Sequence, residues 1–204
     1  MSNATRALVF SLTDGVALGS ARTIRIASIL FVSVLTAAAA QVSVPIPFTP
    51  VPLTLQPMIV LLGGAALGSR LGMVSQLLYL GAGLAGLPVF AASPELPQGA
   101  LRLLGPTGGF LMSYPVAAFV AGRLAERGFD RRYLWSVAAM AAGLAVIFAC
   151  GLAWLTLQLA PVTGGRALEL ALEAGFYPFV AIDIVKLFVA AAILPGAWAL
   201  IGKK

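Results

Sequence analysis

A chain of 204 residues that is 60% hydrophobic and 10% charged, with a mean hydropathy of +1.00, lies far from soluble domains, which carry roughly 25% charged residues. It has no histidine and one cysteine, Cys150, so zinc centres, Ser-His-Asp triads and disulfides within the chain are excluded. The net charge of +6 comes from basic residues between apolar runs, which orients a membrane protein rather than marking a nucleic-acid surface.

Residues 1–23 contain one apolar patch, Leu8 to Leu12, too short to span and without a clear cleavage site. They read as a cytoplasmic or interfacial segment ahead of a single membrane domain, 24–204. The apolar runs predict an all-α bundle of six spanning helices, at about 24–42, 54–69, 71–88, 106–125, 134–160 and 176–201. With both termini cytoplasmic, the inner segments collect Arg6, Arg22, Arg25, Arg70, Arg123, Arg127, Arg131, Arg132, Lys203 and Lys204. The outer ones hold Arg102 and Arg166, a positive-inside distribution that favours an even number of spans in the cell membrane.

On the first span Ser33, Ala37 and Ala40 form a narrow smooth face, suited either to internal packing or to docking another membrane subunit. The first outer segment, Ser43 to Pro57, has five prolines between Pro45 and Pro57 and no charge. Proline fixes φ and brings no N–H, so the segment is stiff and short of donors, and reads as a rigid connector or a lid over a bundle mouth. Gly64, Gly68 and Gly72 have the spacing that lets helices cross closely. The third span ends in Tyr79-Leu-Gly-Ala-Gly-Leu-Ala-Gly-Leu-Pro-Val-Phe90, and the fourth opens with Gly105-Pro-Thr-Gly-Gly109. The latter lacks the lysine and preceding strand of a phosphate loop, though a helix start there can face a ligand carboxylate. No G-x-x-x-x-G-K-[ST] run exists, so the chain does not hydrolyse nucleotides itself. Cys150, inside the fifth run, reads as a small packing residue.

Asp183 and Lys186 are the charged residues placed deep in the last apolar run. A charge at mid-membrane costs about 2.5–3.5 kcal/mol, and residues three apart share a helix face, so the two point into the bundle together. They lie roughly 10–15 Å below the outer end of their helix. Either they bind a solute or they form an ion pair that offsets its own insertion cost. No nucleophile, metal set or second carboxylate accompanies them, so an intramembrane enzyme is not expected, nor is a cofactor.

Four ordered blocks carry a family resemblance: Pro47-Phe-Thr-Pro-Val-Pro-Leu-Thr-Leu-Gln56; Leu78-Tyr-Leu-Gly with Gly86-Leu-Pro-Val-Phe90; Gly105-Pro-Thr-Gly-Gly109; and Asp183-x-x-Lys186. Together they resemble the BioY family, the biotin-specific S components of energy-coupling factor (ECF) transporters, over roughly residues 24–200. The resemblance implies an ECF S-component bundle with a biotin pocket near the outer surface, a transmembrane coupling subunit and ATPase subunits as partners, and the Ser33, Ala37 and Ala40 face as the docking surface. It implies Asp183 on the ureido ring, with Lys186 or Arg102 on the ligand carboxylate. Gln56, Tyr79 and Thr49 become polar contacts, and Phe90, Tyr177 and Phe48 apolar walls. The alternative is an S component or stand-alone carrier for another small anionic vitamin.

Overall fold

The computed structural model describes residues 7–12, 18–93 and 96–201; Arg6, Lys203, Lys204 and much of the N-terminal segment lie outside them. In chain order the helices are α1 (Leu8–Leu12), α2 (Leu18–Gln41), α3 (Gln56–Leu67), α4 (Ser69–Leu84), α5 (Ala100–Leu104), α6 (Gly108–Ala125), α7 (Tyr133–Thr163), α8 (Ala167–Gly175) and α9 (Tyr177–Ile201). Two short strands, β1 (Ser43–Val44) and β2 (Leu53–Thr54), pair antiparallel between α2 and α3. The chain is all-α in architecture. Among the described residues three stretches, Gly19–Gln41, Tyr133–Gly175 and Tyr177–Leu200, are long and apolar enough to cross a membrane.

With its 12 residues α3 rises only about 18 Å, against a hydrocarbon core about 30 Å thick. The proline-rich segment leads into α3. Its ribbon pairs Ser43 with Thr54 and Val44 with Leu53, and it folds back so that Val51 and Thr54 are buried in the bundle mouth.

The turn between α3 and α4 falls at Gly68, two residues before the expected junction at Arg70, which already lies inside α4. Gly68 has φ +85°, a region that excludes most side chains. The N–H of Ser69 then donates to Glu126 Oε1 at 2.8 Å, and its hydroxyl does the same at 2.8 Å. A carboxylate from the end of α6 thus caps the start of α4, where the helix dipole favours it.

Helix α6 sits at the centre, packed against α3, α4 and α7. Small residues make those crossings close: a Cβ added to Gly64 would lie 2.5 Å from the Ala118 carbonyl oxygen, and one on Gly122 2.5 Å from the Gly68 carbonyl carbon. The apolar core, with Leu61, Met140, Ile147, Leu187 and Leu194 among its members, fills the bundle below the ribbon.

One sequence reading is extended here and one corrected. The outer segment between the fifth and sixth expected spans, which holds Arg166, contains a further helix: α8 packs on α7 through Ala167, Ala171 and Gly175, four residues apart on one face. Cys150 is exposed on α7 rather than packed in the interior, although its backbone carbonyl lies against Gly109 of α6.

Candidate functional site

Helix α9 places Asp183 and Lys186 on its inner face, with side chains 8% and 11% exposed. The Lys186 ammonium donates to Asp183 Oδ1 at 2.8 Å and to the Thr54 carbonyl oxygen at 2.6 Å. One buried cation therefore ties the ribbon to α9 while neutralising the carboxylate. Charge-assisted bonds of this kind are the strong ones, so Thr54 is firmly seated.

Two small adjoining cavities meet at that ribbon. The first, of about 50 Å³, is lined by Asp183 together with Phe148, Phe179 and Ile147. The second, of about 40 Å³, is lined by Arg102, Gln56, Ala91, Thr107 and Leu111. Val51, Pro52, Thr54, Phe110 and Tyr114 border both, so the site has a carboxylate at one end, a guanidinium at the other and apolar and aromatic walls between. Ligand pockets hold about 300–1,000 Å³, so the two cavities as they stand are too small for a vitamin-sized solute. Outside them, Pro45, Pro47, Phe48, Thr49 and Ser93 border an open groove of about 570 Å³.

Arg102 is the least ordinary group here. It is 2% exposed, yet among the described residues it has no carboxylate partner: it donates to the Ala91 carbonyl at 2.9 Å and the Leu96 carbonyl at 3.4 Å, and its Nε makes no hydrogen bond. Burial pulls its pKa below the ordinary value, with Tyr79 and Tyr114 acting in the opposite direction. Such a cation is costly to hold alone and is relieved by an anion. The Thr107 hydroxyl, at the start of α6 in the same cavity, is also buried without a hydrogen-bond partner.

The other expected residues divide. Gln56 lines the second cavity and donates to the Tyr79 hydroxyl at 2.6 Å, so Tyr79 acts behind it, wedged against Phe90 (ring centroids 5.6 Å apart) and Tyr114 (6.4 Å apart). Phe90 is buried as a backing ring rather than a wall. The Thr49 hydroxyl donates to the Ala174 carbonyl, pinning the proline segment to α8, and Thr49 lines only the outer groove. Phe48 is 75% exposed beside it, and Tyr177 is 61% exposed and packs edge-on against Phe176; neither reaches the two cavities.

Of the expected docking face, Ser33 donates to the Ser75 carbonyl of α4 at 2.6 Å and Ala40 is fully buried, while Ala37 is half-buried at the edge of the core. The sequence reading missed Val51, Thr54, Phe110, Tyr114 and Phe179 as walls. Tyr114 alone carried a usable signal, a hydroxyl in the middle of an apolar run.

The chain matches the BioY family over residues 10–203. It is 40% identical over 148 residues to a protein of Thermotoga maritima described as a biotin transporter, covering 72% of this chain and 81% of that one. It is 43% identical over 157 residues to a probable biotin transporter of Pyrococcus horikoshii, covering 77% and 85%. In fold it is similar, with a TM-score of 0.76 at 22% identity over 89% of this chain and 94% of the other, to the crystal structure of the S-component for biotin from an ECF-type ABC transporter.

Proposed function

The chain belongs to the BioY family, and from that premise we propose that it binds biotin and takes it up across the cell membrane. The observation that carries the binding mode is the bipartite site, in which Asp183 and Arg102, which has no carboxylate partner among the described residues, occupy opposite ends of two adjoining cavities. Biotin has a matching polarity: a ureido ring with two N–H donors and a carbonyl, an apolar middle, and a carboxylate. The ureido N–H groups donate to Asp183, which is acceptor-only when ionised. The carboxylate goes to Arg102 rather than Lys186, because Lys186 is spent on Asp183 and Thr54 and borders neither cavity. Phe110, Phe148, Phe179 and Tyr114 hold the apolar middle.

Six helices, α2, α3, α4, α6, α7 and α9, cross the membrane with both termini cytoplasmic, a reading supported by the basic residues between the runs. The chain acts as the substrate-specific component of an ECF-type transporter and is not an enzyme. A coupling subunit and ATPase subunits drive it, since it carries no nucleotide-binding loop of its own. Competition uptake by cells that depend on this chain for biotin tests the reading. Unlabelled biotin should abolish uptake of labelled biotin, while thiamin and riboflavin should leave it unchanged; displacement by either of these would assign the chain to another vitamin.

A further inference from the structure

We propose that the pocket between α6 and α7, at the end of the bundle opposite the substrate site, binds the phosphate headgroup of an anionic phospholipid. Helix α6 is 18 residues long, so its start, where Thr107 and Phe110 line the site, lies about 27 Å from its end. There Gly128, at φ 89°, reverses the chain into a 3-10 turn, Phe129–Arg131. The reversal opens a pocket of about 240 Å³ lined by Arg127, Gly128, Phe129, Arg131, Arg132 and Trp135.

The nearby carboxylates are already engaged. Glu126 pairs with Arg123 at 3.3 Å and caps α4. Asp130, 1% exposed, pairs with Arg131 at 3.5 Å and accepts from Trp198 Nε1 at 2.6 Å, while the Arg131 guanidinium is stacked 3.4 Å from the Trp198 ring centre. Among the described residues this leaves Arg127 and Arg132 exposed with no carboxylate partner, flanking one concave surface. Two guanidinium forks fit a phosphate, and the first turn of α7 adds its N–H groups and dipole.

The rim distinguishes a lipid from a free anion. Trp135 is 51% exposed and packs edge-on against Phe129 with centroids 4.9 Å apart; beside it Tyr133 is 41% and Leu134 77% exposed. Aromatic rings at a bundle end mark the membrane interface. A headgroup on Arg127 and Arg132 would lay its acyl chains along Leu134 and the outer face of α7.

The test uses the full chain in a non-ionic detergent, titrated with short-chain phosphatidylglycerol, phosphatidylcholine or inorganic phosphate, with retained ligand counted by native mass spectrometry. Phosphatidylglycerol should bind in preference to both others. Arg127→Gln and Arg132→Gln together should weaken it about 25-fold, taking about fivefold per arginine near an anionic lipid, with biotin binding unchanged as the check on folding. Arg70→Gln, exposed at the same end of the bundle but outside the pocket, should leave it within twofold. Equal weakening by Arg70→Gln would mean diffuse surface charge, and retention of inorganic phosphate as firmly as lipid would mean a free-anion site. Either result, or equal retention of phosphatidylcholine, overturns the proposal.

Discussion

Replacing Asp183 by Asn keeps its shape and removes its charge. In the structure this carboxylate accepts from Lys186 at 2.8 Å with both side chains nearly buried, and the ammonium has one further acceptor, the Thr54 carbonyl at 2.6 Å. Breaking a buried pair by removing one partner costs about 3–5 kcal/mol. The substituted amide would still offer an oxygen and Thr54 would remain, so the folding penalty falls toward the roughly 1.5–3 kcal/mol of one charge-assisted hydrogen bond. Binding loses a comparable amount, because a charged acceptor for the ureido N–H groups becomes neutral: about 10- to 150-fold in Kd. Thermal unfolding and biotin titration on the same preparations separate the two effects. The double variant Asp183→Leu with Lys186→Met removes both charges and should recover most of the stability, since apolar replacements of buried pairs are often neutral. It should not recover binding. If Asp183→Asn binds biotin like the wild type while unfolding more easily, the pair serves only its own insertion and the reasoning fails.

Other outcomes follow from the same geometry. Arg102→Gln should weaken biotin about 10- to 150-fold while leaving the affinity for biotin methyl ester, which has no carboxylate, nearly unchanged; equal losses for both would remove Arg102 from the carboxylate role. Tyr79→Phe strands the Gln56 amide, which is 2% exposed, and should cost about 1–3 kcal/mol in thermal or denaturant unfolding; an unchanged midpoint would show that Gln56 finds another partner. Gly122→Val places a side chain against the Gly68 backbone, which cannot swing aside, and should destabilise by about 1–3 kcal/mol or prevent folding; a variant as stable as the wild type would show that α3, α4 and α6 cross less closely.

The sequence made the helical core legible because apolar runs of span length leave little choice of secondary structure. It made Asp183 and Arg102 legible for the opposite reason: a charge in an apolar run and a charge in a nearly neutral outer segment both need an explanation. What it hid depends on folding-back. Val51 and Thr54 become walls only because the ribbon turns into the mouth above a short α3, and nothing local in Pro50-Val-Pro-Leu-Thr54 fixes that direction. Ser33, Ala37 and Ala40 are ambiguous in sequence because small residues suit internal crossings as well as external ones; the bond to Ser75 turns Ser33 itself inward. Helix α8 is masked by Glu169 and Glu173, whose polarity suggests a loop although Ala167, Ala171 and Gly175 keep a helical face for α7. Arg102 stands in a loop by sequence, and its burial depends on where the Ala91 and Leu96 carbonyls come to rest.

The most direct measurement is calorimetric titration of biotin into the purified chain, without ATP or other subunits. A site built wholly within this bundle predicts saturation at one biotin per chain, tight enough to be stoichiometric at micromolar protein, and no heat from thiamin or riboflavin. No binding of biotin at micromolar concentration would contradict the account.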